Sequence, residues 1–332
     1  MRVLVTGGGG FLGSRIAKRL LQRGDEVAIL GRRKYPRMDA NIECFQTDIR
    51  DRQAVFDALR GCHTVFHTAA LPGIWGEPDE FYGINVTGTQ NVIDGCLEHS
   101  VKKLVFTSSP SVVFDDTDLE NVDEDTPYPE SYSCVYPRTK AIAERLVRKA
   151  NGNVGLSTVS LRPHLIWGEG DPHLVPRILD RARKGRLVRV GSGKNRVDII
   201  YIANAVEAHI LACDALERGS PVAGNCYFIS DGKPVVLWDW IGQVLCRLGR
   251  PPVTRSMSYR SARVLGAFLE MMYRALAIRR EPPMTRFVAA QLATSHYFNI
   301  SRARTDFGYA PVVSQEEGMQ NLIRYFQARP EG

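Results

Sequence analysis

The chain has 332 residues, 44% hydrophobic and 24% charged, with 43 basic against 36 acidic side chains and a formal net charge of +7. That apolar share excludes a disordered chain, and the length suits one large α/β unit with a smaller appended lobe. The positive balance suits anionic ligands or a membrane surface, but the basic residues are scattered, which speaks against nucleic acid.

Seven cysteines (Cys44, Cys62, Cys96, Cys134, Cys213, Cys226, Cys246) are widely spaced and form no CxxC. They fit reduced thiols in a cytoplasmic protein better than a disulfide framework or zinc site. The chain enters its first strand without a basic-then-apolar leader, and no apolar run reaches membrane-spanning length, so a cytoplasmic location is expected.

In chain order, RVLVT (2–6), EVAIL (26–30), IECFQ (42–46), TVFHT (64–68), KLVFTS (103–108) and STVSLR (157–162) read as buried strands. Helical patterns such as FLGSRIAKRLLQRG (11–24) and TGTQNVIDGCLEH (87–99) separate them. This rhythm predicts a Rossmann-type doubly wound parallel sheet with helices on both faces. Beyond Pro163 prolines and glycines thicken and helices dominate. The expected partition is a dinucleotide-binding domain over 1–162, carrying the catalytic pair, and a smaller, mainly helical, substrate-binding lobe over 163–332. Some segments of that lobe are expected to return to the first domain.

Strand, glycine turn and helix follow one another in VLVTGGGGFLGSRIAKRLL (3–21). Such a turn lets a pyrophosphate reach the backbone amides at a helix N-terminus, where the macrodipole favours negative charge. Two registers fit: Gly8, Gly10 and Gly13, or Gly7, Gly10 and Gly13. The second strand then selects the dinucleotide. An NAD site places a carboxylate at that strand's C-terminal end, but EVAIL ends in GRRK, with Gly31 in that place. Asp25 and Glu26 stand at the wrong end. Arg32, Arg33 and Lys34 offer donors to a 2′-phosphate, so NADP(H) is the expected cofactor, with NAD(H) as the alternative.

Tyr136 and Lys140 in SCVYPRTKAIAE (133–144) lie one helical turn apart on one face. Pro137 is tolerated if the helix starts near Tyr136, where a missing N–H costs nothing. A phenol is a poor acid–base group at neutral pH; a neighbouring ammonium and an oxidised nicotinamide would favour its ionised form. VFTSSPS (105–111) supplies Ser108, Ser109 and Ser111 at the same sheet edge. His63 and His67 lie on one strand, where they do not share a metal-ligand geometry, so no metal is expected.

Taken together, TGGGGFLG, TSSPSV and YPRTK, in this order, resemble the extended short-chain dehydrogenase/reductase superfamily over nearly the whole chain. The resemblance implies that Ser109 polarises a carbonyl, Tyr136 exchanges the proton, and Lys140 binds the nicotinamide ribose and lowers the tyrosine pKa. It implies the register Gly7, Gly10 and Gly13 for the phosphate loop, with Phe11 and Leu12 opening the helix. Asp48 and Ile49 would meet the adenine, and the segment from His67 to Ala70, with Ala69, would meet the cofactor's centre. Pro163 would face the nicotinamide, and Asn85 would support the lysine.

LRPHLIWGEGDPHLVPRI (161–178), GKNRVDIIYIANAVEAHILA (193–212) and YFISDGKP (227–234) are similar to the 3β-hydroxysteroid dehydrogenase branch. The likeness extends to its bacterial reductases of 2-alkyl-3-oxoalkanoates, from long-chain olefin synthesis, and to its sterol-4-carboxylate 3-dehydrogenases. It implies a ketone–alcohol oxidoreductase acting on a lipid-like acid and leaves a homodimer open. Arg162, His164 and Arg177 are candidate carboxylate partners, and Trp75, Trp167, Leu165 and Ile166 are candidates for an apolar pocket. Nucleotide-sugar dehydration is disfavoured, because Pro110 and Ser111 stand where dehydratases carry an Asp–Glu pair. Sugar epimerisation stays open. A cofactor sensor without turnover would be expected to lack the tyrosine or lysine. Finally, 256–280 carries Val264, Leu265, Phe268, Met271 and Leu276 at helical spacing among arginines. It is expected to be a lid or core helix, with peripheral membrane contact as the alternative.

Overall fold

The computed structural model describes residues 1–36 and 38–328. Its centre is a parallel sheet of seven strands: β1 (Arg2–Thr6), β2 (Glu26–Gly31), β3 (Glu43–Gln46), β4 (Thr64–His67), β5 (Lys103–Thr107), β6 (Ser157–Pro163) and β7 (Cys226–Ile229). Their spatial order is β7-β6-β5-β4-β1-β2-β3. The inner strands read as apolar runs because both faces are covered; β3, expected to be buried, is instead a largely exposed edge strand with Glu43, Cys44 and Gln46 in solvent. Val3, Val5 and Ile29 pack on one face with Ile16 and Leu20 of α1 (Phe11–Gln22). Leu4, Ala28 and Leu30 turn to the other, against α2 (Arg52–Leu59), α3 (Gly88–Glu98) and α4 (Val135–Ala150). The order reverses between β1 and β4, and ligands of open α/β sheets bind beyond the carboxyl ends at such a switch point.

Segments before and after residue 163 interleave. β7 completes the large sheet, and α5 (Ile202–Ala215) packs beside α1. In the other direction, Leu119–Val122 joins His296–Phe298, Arg196–Val197 and Val235–Val236 in a small four-stranded sheet of the lobe. That small sheet places His296 next to residues from the first half of the chain.

The helix Tyr259–Ala275, expected to be a lid or core helix, is a surface helix and not a core one. Its inward face carries Ala262, Gly266 and Glu270, and Glu270 accepts from the Arg286 backbone N–H at 2.7 Å and pairs with its guanidinium. Gly266 allows close approach, since a Cβ there would lie 2.6 Å from the Thr285 backbone. The large apolar side chains point outward: Val264 is 71% exposed, Phe268 55% and Met271 63%.

Candidate active site

The glycine loop leaves β1 with Gly7 at φ +69°, a conformation that favours glycine. Gly10 N–H donates to Gly7 C=O at 2.8 Å, and Gly10 caps α1 without a side chain. A Cβ on Gly13 would sit 2.4 Å from Gly7 O, and one on Gly7 would sit 2.8 Å from Ala69 Cα. The geometry therefore selects Gly7, Gly10 and Gly13 as the tight register. It leaves the amides of Phe11, Leu12 and Gly13 at an uncapped helix N-terminus, with Ala69 alongside, a cradle suited to a pyrophosphate.

At the end of β2, Arg32 and Arg33 are exposed, and Tyr35 folds back over the loop. Its ring fills the space that side chains at Gly9 and Gly31 would need: a Cβ at Gly31 would lie 2.3 Å from the Tyr35 hydroxyl. A side chain at 31 would therefore have to displace the Tyr35 ring. Asp48 is held by Arg50 at 2.7 Å, and the Arg50 hydrogen bond keeps its carboxyl below the usual range, helped by the Arg32 charge. Ile49 is buried against Gly88. These residues fit a dinucleotide bound across the carboxyl ends of β1, β2 and β4.

The catalytic candidates meet at the ends of β5 and α4. Cys134 caps α4 in an extended conformation, Tyr136 is its second residue, and Pro137 falls in the first turn as expected. Ser109 follows β5; its Oγ lies 2.9 Å from Ser111 Oγ and also hydrogen-bonds the Tyr136 side chain. Lys140 Nζ donates to Thr107 C=O at 2.6 Å and stands 4.2 Å from the centre of the Phe106 ring. Burial sets both titrations. It pushes Tyr136 up to about 12, against the opposing Ser109 hydrogen bond, and brings Lys140 down to about 7, against the attraction of Glu144. Within the polypeptide, then, the tyrosine is governed by desolvation and Ser109; the lowering expected from Lys140 is not what sets it.

Asn85 lies on a π-helical turn, Gly83–Thr87, a distortion often found at functional sites. Its amide accepts from Leu71 N–H at 2.7 Å and donates to Thr139 Oγ1 at 3.1 Å, so it ties the cofactor-side loop to the residue before Lys140. The lysine is supported through this neighbour and Thr107. His67 closes β4 with both ring nitrogens engaged, by Thr6 Oγ1 at 2.7 Å and Thr89 Oγ1 at 2.9 Å. Its burial lowers its pKa to about 3, so the ring is a neutral structural pin.

Ser109, Tyr136 and Pro163 open onto a cavity of about 210 Å³ walled by Ile74, Phe114, Leu165, Phe287, Phe298 and two histidines, His164 and His296. Several expected pocket residues lie elsewhere. Trp167 is fully buried between Tyr201 and Trp240 in the lobe core. Arg162 is bound to Glu144 at 2.6 Å with both side chains buried, and Arg177 pairs with Glu281. Of the three expected carboxylate partners, His164 lines the cavity. Ser108 is buried, while Ser111 lines the cavity beside Ser109. His296, Phe287 and Gln291 were not expected; the small sheet and its neighbouring helix deliver them from far along the chain.

A family profile, 3-beta hydroxysteroid dehydrogenase/isomerase, matches residues 4–257. The chain belongs to that family. Among this family's relatives, the 2-alkyl-3-oxoalkanoate reductase of Stenotrophomonas maltophilia (strain K279a) is 46% identical over 97% of this chain and 98% of its own. The mouse (Mus musculus) sterol-4-alpha-carboxylate 3-dehydrogenase, decarboxylating, is 34% identical over 97% of this chain and 90% of its own. Among solved structures, the Thermus thermophilus UDP-glucose 4-epimerase complex with NAD aligns with TM-score 0.76 at 25% identity, covering 99% of this chain and 100% of that one. MoeE5 in complex with UDP-glucose and NAD aligns with TM-score 0.75, also at 25% identity, over 100% of both chains. This member of the 3-beta hydroxysteroid dehydrogenase/isomerase family is an oxidoreductase on a dinucleotide-binding fold. Among its described residues no helix is long and apolar enough to cross a membrane, and no cluster of ligating side chains could hold a metal.

Proposed function

We propose that the protein reduces the ketone of a 2-alkyl-3-oxoalkanoate to the 3-hydroxy acid, with NADPH as the preferred cofactor. The observation that carries this reading is the placement of Ser109 and Tyr136 on one wall of a small, mostly apolar cavity. The 46% identity to a reductase of that name supports the substrate class. At about 210 Å³ the cavity is smaller than the roughly 300–1,000 Å³ that encloses a drug-sized ligand. It suits the reacting head of a substrate whose flexible alkyl chains leave through the mouth, and it suits a rigid sterol less well.

When bound, the reduced nicotinamide supplies the hydride. Gly7, Gly10 and Gly13 with the α1 amides would hold its pyrophosphate, and Arg32 and Arg33 its 2′-phosphate. Ser109 Oγ donates to the ketone oxygen, and Tyr136 delivers the proton to the same atom. Burial keeps the phenol protonated at neutral pH, the form that reduction requires. Lys140, fixed by Thr107, would hold the ribose and add positive charge behind the phenol. The opposite direction would need the phenolate. The test is a substrate panel with purified protein: 2-alkyl-3-hydroxy acids, a 4-carboxysterol and UDP-glucose, each with NADP⁺ or NAD⁺. Turnover of the hydroxy acids is expected; turnover of UDP-glucose alone would replace this reading with a sugar-modifying one.

We also propose peripheral contact with an anionic lipid surface. The outward face formed by Val264, Phe268 and Met271 is rimmed by exposed Arg260, Arg263 and Arg274. The cavity wall reaches this helix: Ile74 is followed by Trp75, whose ring packs edge-on against Tyr273 of the helix at 6.2 Å between centroids. Co-sedimentation with vesicles containing anionic lipid should fall sharply in the double variant Phe268→Asp, Met271→Asp. Equal sedimentation of variant and parent would remove this contact.

A further inference from the structure

A short line of contacts crosses the cavity wall. His164 Nδ1 lies 2.6 Å from Asp198 C=O, His164 Nε2 lies 3.1 Å from His296 Nδ1, and His296 Nε2 lies 3.0 Å from Gln291 C=O. The carbonyls at the two ends can only accept, so each takes an N–H from its imidazole. A neutral imidazole has one N–H. With both used at the ends, the two nitrogens that face each other carry lone pairs and no proton between them. Three hydrogen bonds need three protons, and two neutral rings bring two. The line is complete when the pair holds one positive charge.

We propose that His164 and His296 form a charge-compensating site that takes up one proton together with the anionic head of the substrate. The inference rests on the acid-substrate reading above and names the group that compensates the charge of the acid. Both rings line the cavity that holds Ser109 and Tyr136, and both are buried, among the rings of Phe114 and Phe298. Burial lowers His164 to about 3 and His296 to about 4, so without a counter-charge the pair stays neutral. A carboxylate within about 4–6 Å favours the charged form and opposes that penalty. The surrounding charges are few. Asp118 favours the charged form of His296; the Asp198 carboxyl, pushed up to about 6 by burial, lies among Asp231 and Arg196; Tyr136 and Lys140 belong to the catalytic group. The pair titrates as a unit, so the proton belongs to both rings.

The test loads the enzyme with NADPH and titrates in a 2-alkyl-3-hydroxy acid, a combination that cannot react, by calorimetry in buffers of different ionisation enthalpy at pH 7.5. The expected result is uptake approaching one proton per acid bound, and none with the corresponding methyl ester. His296→Asn, and separately His164→Gln, should abolish the uptake and raise KM for the acid on the order of tenfold, the equivalent of one pKa unit of lost charge stabilisation. The parent measurement stands even if a variant fails to fold. Acid binding without proton uptake would overturn the proposal, as would uptake that persists in folded variants. The two readings fail differently: turnover of the acid with no proton uptake contradicts this site alone, whereas no turnover of any such acid contradicts the substrate class as well.

Discussion

Tyr136 and Lys140 are both perturbed by burial, in opposite senses, and the proposed reduction draws on both shifts. The Tyr136→Phe variant should bind NADPH like the parent by fluorescence titration and lose on the order of 10²–10⁴-fold in turnover, the usual contribution of a general acid. A rate near that of the parent would remove the phenol from the chemistry. Lys140→Ala should impair both turnover and cofactor binding. Glu144 is a different case, because its carboxylate compensates the buried Arg162 guanidinium. Glu144→Gln leaves that charge unpaired and should cost about 3–5 kcal/mol in denaturant unfolding; a loss below about 1 kcal/mol would show the pair to be dispensable. At this scale the sequence was informative where function imposes spacing, as for Tyr136 and Lys140, and misleading for Arg162. Nothing in the segment LRPH reveals that the arginine's partner lies on the helix before it.

Among the elements, the turn after β2 is where the proposed cofactor preference is tested. Tyr35 packs over Gly9 and Gly31 and so braces the segment that holds Arg32 and Arg33. Replacing both arginines with neutral residues should weaken NADPH by about 1.5–3 kcal/mol for each charge-assisted hydrogen bond removed, less at an exposed rim, and leave NADH nearly unchanged. Equal weakening of the two cofactors would contradict the assignment. Gly31→Asp should displace the Tyr35 hydroxyl and shift the ratio of kcat/KM values toward NADH. Periodicity located β1, β2, β4, β5 and β6 because each is a short buried run between turn signals; it also placed β3, but wrongly expected that edge strand to be buried. It placed the helix Tyr259–Ala275 without deciding between lid and core, because spacing shows which residues share a face but not which way that face turns. His296 was out of reach for a related reason: its place beside His164, 132 residues earlier, depends on the pairing of its strand with Arg196–Val197 and Leu119–Val122.

For the molecule as a whole, four buried histidines govern the response to acid. Burial lowers His67 and His164 to about 3, and His209 and His296 to about 4. Between about pH 6.5 and those values the unfolded chain binds protons that the folded chain refuses, so stability rises with pH through this window and falls on acidification. Asp198 and Asp231, raised to about 6, and Asp116 and Glu124, also raised by burial, act in the opposite sense, but the Asp198 and Asp231 shifts are smaller than those of the histidines. Thermal melts should therefore drop most steeply as pH falls from about 6.5 to 4, and a flat profile there would contradict the buried, neutral state of these rings. The reductase reading itself is tested most directly by the fate of the hydride. Protein supplied with a 2-alkyl-3-oxo acid and NADPH deuterated at the transferring position, with the product analysed by mass spectrometry, should give a 3-hydroxy acid carrying one deuterium on C3, with one NADPH oxidised per product. Net consumption of neither cofactor nor ketone, together with conversion of UDP-glucose to its epimer under the same conditions, would contradict it.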